Sequence, residues 1–130
     1  MSIEIPFKKN YNIKDRKEES TRVRYKHPER IPVIITKNPN SHLENIKTTK
    51  YLFPIEFTIP QILCIIRQRI TLKPNDALTI FIQTPDGKEV LPSYSASVAS
   101  LFLDYVESYK NHPNYDGYLY IIYSNENTFG

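Results

Sequence analysis

The residues that most often act as nucleophiles or metal ligands are few and scattered in this chain. Its 130 residues include one cysteine, Cys64, and three histidines, His27, His42 and His112. No two of them have the spacing of an HExxH zinc motif or of a local Cys/His ligand set. Cys64 falls in an apolar run, so we expect it to be a small buried apolar residue. With only 3 glycines there is also no glycine-rich phosphate loop. The sequence therefore favours a binding protein over an enzyme and predicts no cofactor.

The charge is concentrated near the N-terminus. The net charge of the chain is +3, yet residues 1–30 alone contain nine basic and five acidic residues. A basic segment of this kind can attract acidic protein segments or anionic lipid. No zinc-finger spacing or aromatic RNA-binding signature is present, so nucleic acid is not expected as a partner.

The chain contains no apolar run near the roughly 18–20 residues that cross a bilayer. Its first residues lack the basic region and apolar stretch of a secretory signal. A single cysteine suits a reducing compartment. We therefore expect a cytoplasmic protein.

The elements that would position any functional residues follow from periodicity and from capping signals. Thr58 and Gln61 have the spacing of a capping box, which predicts that a helix begins there. β-branched runs predict strands, and apolar residues at helical spacing predict helices. The predicted elements are a charged helical segment at 13–26, strands at 30–37 and 50–54, a helix at 59–70, a strand at 78–83, brief pairing at 88–91, a helix at 96–110 and a strand at 118–123.

A hairpin, a crossover helix and a last apolar strand predict a mixed sheet with a helix on one face. The order is that of an α+β fold, the ubiquitin-like β-grasp, preceded by N-terminal helices. We divide the chain into an N-terminal helical arm at 1–28, the β-grasp at 29–123 and a flexible tail at 124–130.

Five short segments carry a family resemblance, and they occur in family order and with family-like spacing. They are PERIPVI at 28–34, KYLFP at 50–54, IRQRI at 66–70, DGYLY at 116–120 and TFG at 128–130. From about Ile13 to Gly130 the chain resembles the autophagy-related ubiquitin-like modifiers, the family of gamma-aminobutyrate-receptor-associated protein and microtubule-associated protein light chain three.

The resemblance implies a modifier that partner enzymes act on. A processing protease exposes the terminal glycine, here Gly130, and activating and conjugating enzymes join it to phosphatidylethanolamine of the autophagosome membrane. The protein then recruits cargo receptors and adaptors that carry short aromatic-x-x-aliphatic motifs. A carboxylate that must enter narrow enzyme clefts benefits from having no Cβ beside it, and the nucleophilic thiols belong to the partners.

The resemblance also implies a peptide groove beside the strand at 50–54. An edge strand can accept an extended peptide through its unpaired backbone groups. The pocket for the motif's aromatic residue is expected to be lined by Val23, Pro32, Lys50, Leu52 and Tyr118. The pocket for its aliphatic residue is expected to be lined by Tyr51, Phe53, Pro54, Phe57, Ile62 and Ile65. Arg30 and Arg69 would hold acidic or backbone groups. Acidic residues that flank the motif would be attracted by Lys14, Arg16, Lys17 and Lys47.

Two alternatives remain open. A β-grasp adaptor in membrane trafficking could bind partners without being conjugated, and it would not need Gly130. A sibling modifier would be joined to a protein lysine and not to lipid, but it lacks strongly basic paired N-terminal helices.

Overall fold

Four helices and five strands are formed by residues 3–125, the part of the chain that the computed structural model describes. The helices are α1 (Pro6–Asn10), α2 (Ile13–Lys26), α3 (Ile59–Arg69) and α4 (Val98–Tyr109). The strands are β1 (Arg30–Lys37), β2 (Lys50–Pro54), β3 (Thr79–Gln83), β4 (Glu89–Val90) and β5 (Leu119–Ser124).

The strands form one mixed sheet in the order β2-β1-β5-β3-β4. Strands β1 and β5 run parallel, whereas the β1–β2, β3–β5 and β3–β4 pairs are antiparallel. This arrangement confirms the predicted α+β, β-grasp fold. Strands β2 and β4 are the two edges of the sheet.

Each face of the sheet has its own apolar cluster, because successive side chains of a strand point to opposite faces. Val33 and Ile35 of β1 belong to the larger cluster, which also contains Ile62 of α3 and Tyr105 of α4. Ile34, between them, belongs to the smaller one. The members of the smaller cluster are Ile5, Ile34, Tyr118, Tyr120 and Ile122.

The residues before α2 pack on this second face. Ile5 is buried, the backbone N–H of Ile3 donates to Glu89 Oε1 at 2.9 Å, and Gln83 Nε2 donates to the Ile3 carbonyl at 2.7 Å. Lys8 Nζ donates to Gln83 Oε1 at 2.6 Å. Burial lowers the pKa of the Lys8 amine to about 8. Residues 3–8 therefore cross the sheet and reach its β3–β4 side.

A buried ion pair joins α2 to the sheet. Arg16 is 7% exposed, and its Nε donates to Asp116 Oδ2 at 2.8 Å. Asp116 also accepts the Tyr118 N–H at 2.9 Å and the Tyr120 hydroxyl. The prediction that Arg16 is available to attract a partner's acidic residues is therefore wrong, because its guanidinium is already paired inside the fold.

Two further expectations need correction. Cys64 is exposed, not buried, because it lies on the solvent side of α3, where Gln68 Nε2 donates to Cys64 Sγ at 3.8 Å. Strand β5 continues through Ser124, which is buried, although the tail was expected to begin at that residue. Asn125 is tied to Ser41, whose hydroxyl donates to Asn125 Oδ1 at 2.6 Å.

The ion pair gives a stability prediction. Replacing Asp116 with Asn should lower the free energy of unfolding by about 3–5 kcal/mol, because the Arg16 charge stays buried without its counter-ion. Urea denaturation followed by circular dichroism measures the change. Asp104→Asn on the exposed side of α4 is the matched control and should change it by less than about 0.5 kcal/mol. Equal effects of the two substitutions would contradict the prediction.

Candidate functional site

The outer edge of β2 presents backbone groups that pair with no other strand of the described residues. The Ile35 N–H donates to the Thr49 carbonyl at 2.8 Å, which makes this a hydrogen-bonded pair of the antiparallel ladder. Hydrogen-bonded pairs alternate with non-bonded ones, so Tyr51, two residues on, also turns its backbone groups toward β1. Lys50 and Leu52 turn theirs outward. The edge therefore has the polarity that an added strand requires.

A pocket lies between α2 and this edge. Its volume is about 330 Å³, and it is lined by Glu19, Arg22, Val23, Pro32, Lys50, Tyr51, Leu52 and Tyr118. All five residues expected around the aromatic pocket therefore lie together here. Glu19 and Arg22 were not expected in this lining, and Tyr51 was expected at the other pocket. Helical spacing could have identified Glu19. Residues three and four apart share a helix face, and Glu19 lies four residues before Val23.

Pro32 forms a rigid wall of the pocket without disturbing the sheet. It pairs with Leu52 of β2, and the ladder between β1 and β5 begins one residue later, at Val33 and Leu119. The alternation along β1 turns the Pro32 nitrogen toward β5, before that ladder starts. The missing N–H therefore removes no ladder hydrogen bond.

The pocket contains one acid that is already paired. Lys50 Nζ lies 2.6 Å from Glu19 Oε1, and the Tyr118 hydroxyl donates to the same oxygen. Burial opposes the carboxylate charge, but the hydrogen bonds from Lys50 and Tyr118 outweigh it and hold the pKa of Glu19 below its ordinary value. Burial and then Glu19 raise the pKa of Tyr118. The pocket therefore combines apolar walls with a paired carboxylate at one side, and that carboxylate can accept a ligand's N–H.

An aromatic stack lies on the opposite face of β2. The ring centroid of Phe53 is 5.2 Å from that of Tyr51 and 5.3 Å from that of Phe57. The Arg69 guanidinium carbon lies 5.7 Å from the Tyr51 ring centroid. Tyr51 pairs with Val33, so its side chain packs against the larger cluster, although the residue also borders the pocket. Leu52 faces α2. The alternation along β2 therefore separates the two predicted pockets by the thickness of one strand.

The six residues expected around the aliphatic pocket are not equally accessible. Ile62 is 0% exposed and Phe53 is 3% exposed, so both are part of the core in this structure. Tyr51, Pro54, Phe57 and Ile65 are half-buried around them. The buried Tyr51 hydroxyl has no hydrogen-bond partner among residues 3–125.

The remaining predicted residues are dispersed. Arg30 lies beside the edge of β2, where its Nη1 donates to the Leu52 carbonyl at 3.1 Å. Lys14, Lys17 and Lys47 are exposed. Gly130 lies outside the described residues. Within those residues no three His, Cys, Asp or Glu side chains form a candidate metal site, and no helix has the length and apolarity to cross a membrane.

Comparisons with known proteins agree with one another. The sequence model of a family described as "Autophagy protein Atg8 ubiquitin like" matches residues 15–130. The chain is 42% identical to Autophagy-related protein 8 of Schizosaccharomyces pombe over 124 residues, which are 95% of this chain and 93% of that protein. It is 40% identical to the protein of the same name from Mycosarcoma maydis and 41% identical to that from Aspergillus niger, in each case over 95% of both chains.

The alternation along β2 predicts unequal losses of stability for substitutions at neighbouring residues. Phe53→Ala should lower the free energy of unfolding by about 3–5 kcal/mol, because it empties a buried aromatic site. Leu52→Ala should cost less than about 1 kcal/mol, because Leu52 is 37% exposed and lines an open pocket. Thermal and urea denaturation of the two variants test this. A large loss for Leu52→Ala would show that the pocket wall is part of the core.

Proposed function

This chain belongs to the Atg8 family of ubiquitin-like autophagy proteins, and from that membership we propose that it is a modifier with two linked activities. Its Gly130 carboxylate is joined to the amine of phosphatidylethanolamine. Its groove then recruits receptors and adaptors that carry aromatic-x-x-aliphatic motifs. It is cytoplasmic before conjugation and bound to the autophagosome membrane afterwards.

The observation that carries the recruitment proposal is that the pocket and the aromatic stack lie on opposite faces of β2. In an extended strand, residues i and i+3 point to opposite sides, because the side-chain period is 2. A peptide that pairs with the outward groups of Lys50 and Leu52 would thus send its aromatic residue to one face and its aliphatic residue to the other. The three-residue spacing of the motif fits this geometry.

Exposed cations on α2 and in the connection to β2 support acidic peptides as ligands. Lys14, Lys17 and Lys47 are exposed and have no ion-pair partner among the described residues. Such cations act mainly on the association rate and on the choice of partner. Receptor segments with carboxylates beside the motif are therefore the favoured partners.

The conjugation proposal rests on the terminal glycine and on family membership. An activating enzyme would join the Gly130 carboxylate to the α-phosphate of ATP with release of pyrophosphate. A cysteine thiolate would then displace AMP, and the lipid amine would displace the thiolate to leave an amide. Because Gly130 has no Cβ, each nucleophile meets an unobstructed carbonyl. The lipid supplies two acyl chains, enough for stable anchoring where one is marginal.

Conjugation is tested by reconstitution. The protein is mixed with an activating enzyme, a conjugating enzyme, ATP and phosphatidylethanolamine liposomes, and a lipid adduct is sought by mass spectrometry. We expect an adduct for the native chain and its loss or strong reduction for Gly130→Ala. No adduct, with enzymes that are active on a relative, would overturn the modifier proposal in favour of the adaptor. An adduct on a protein lysine would favour the sibling modifier.

Recruitment is tested by the spacing of the motif. A peptide with aromatic-x-x-aliphatic spacing should bind at least about tenfold more tightly than one with aromatic-x-aliphatic spacing, which puts both anchors on one face. Leu52→Ala should weaken the first peptide by about tenfold, since it removes part of the pocket wall. Isothermal titration calorimetry measures both effects. Leu103→Ala, an exposed leucine of α4, is the matched control. Equal affinity for the two peptides would reject the two-faced groove.

A further inference from the structure

The exposed edge of β2 is partly covered by the chain's own Arg30. Its Nη1 donates to the Leu52 carbonyl at 3.1 Å, and Leu52 is one of the residues whose backbone groups turn away from β1. To reach that carbonyl from β1, the guanidinium must pass over β2 to the outer edge of the sheet. It then occupies the space through which an added strand would approach.

The backbone at Arg30 is held in place by Arg24 of α2. Arg24 Nη1 donates to the carbonyls of Pro28 and Arg30, both at 2.7 Å. These two bonds hold the start of β1 against the end of α2. The backbone of Arg30 is therefore anchored, while its side chain is free of any carboxylate within the ion-pair distance among the described residues.

From these contacts we propose that Arg30 is a displaceable cap on the edge strand, an autoinhibitory contact that a docking peptide must open. The N–H of the incoming strand takes the place of the guanidinium at the Leu52 carbonyl. Because a peptide can pair only with molecules whose edge is free, the cap lowers the apparent affinity of the groove in proportion to the fraction of such molecules. The cap also protects the edge from pairing with a second copy, as charged side chains do at other sheet edges.

The proposal rests on the proposed peptide groove, but the cap itself can be observed without a ligand. Loss of a hydrogen-bond donor moves the carbonyl carbon resonance of Leu52 upfield in the NMR spectrum. We expect this shift for the full-length Arg30→Gln variant. We expect no shift at Leu52 for Arg67→Gln, which removes another exposed arginine, on α3. Arg30→Lys keeps a charge and an N–H donor, so it should shift the Leu52 carbonyl less than Arg30→Gln does.

The cost of opening is measured with an aromatic-x-x-aliphatic peptide that carries no charged residues, so that loss of the Arg30 charge does not alter long-range attraction. An exposed hydrogen bond of this kind corresponds to a change of about 2- to 10-fold in the dissociation constant. We expect Arg30→Gln to bind this peptide more tightly by that factor, and Arg67→Gln to bind as the native chain does.

The outcomes separate the cap from the groove. An unshifted Leu52 carbonyl in Arg30→Gln would overturn the cap, as would unchanged or weaker binding of the neutral peptide to this variant. If the native chain and Arg30→Gln both fail to bind any motif peptide, the proposed recruitment function fails. The carbonyl shift would still decide whether Arg30 caps the edge.

Discussion

The pairing of the buried Asp116 carboxylate with Arg16 is the interaction on which the site depends. The carboxylate accepts from Arg16 of α2, from Tyr118 just before β5 and from Tyr120 within β5, so it fastens the helix to the central strands. The Ser20 hydroxyl of α2 donates to the Asp116 carbonyl at 2.5 Å. Because α2 forms one wall of the pocket and the sheet forms the other, the spacing between the walls follows from this contact. Buried charges are stable only when they are paired and hydrogen-bonded.

Gly117 allows the helix to come this close. Its φ is +84°, a backbone conformation that L residues rarely adopt. A Cβ at this position would collide with Ser20 Oγ. The chain therefore turns into β5 directly against α2, and Tyr118 enters the pocket wall beside Glu19. Local backbone freedom at one residue thus decides how near two distant parts of the sequence can lie.

The local elements could be predicted from the sequence because their signals are local. A β-branched run predicted β1 and an apolar run predicted β5. Thr58 with Gln61 marked the start of α3, where the Thr58 N–H donates to Gln61 Oε1 at 2.9 Å. The burial of Arg16 could not be predicted in this way, because its partner lies 100 residues away. A charged residue on a charged helix has no pattern that distinguishes it from its solvated neighbours.

The site was only partly accessible from the sequence. The members of both pockets came from family resemblance, since periodicity alone treats Leu52 and Phe53 as two apolar residues of one strand. Glu19 was missed because its contacts with Lys50 and Tyr118 arise only when α2 docks on the sheet. Cys64 was placed wrongly because a broad apolar face leaves the rotational phase of a helix uncertain by one position. The burial of Ile5 could not be predicted from local patterns, because it depends on the second face of the sheet needing a cover.

The two-sided character of β2 restricts where the chain can change its length. Residues 38–49 connect β1 to β2. Leu43 and Ile46 of this connection are buried in the larger cluster, so added residues are best tolerated at its exposed positions, such as Lys47 and Thr48. One residue inserted inside β2 would shift its register by one and exchange the faces of every side chain after it. The aromatic ring of Phe53 would then point toward α2, and the Leu52 side chain would point into the larger cluster. Length variation among relatives of this sequence should therefore accumulate at those exposed positions and be absent from β2.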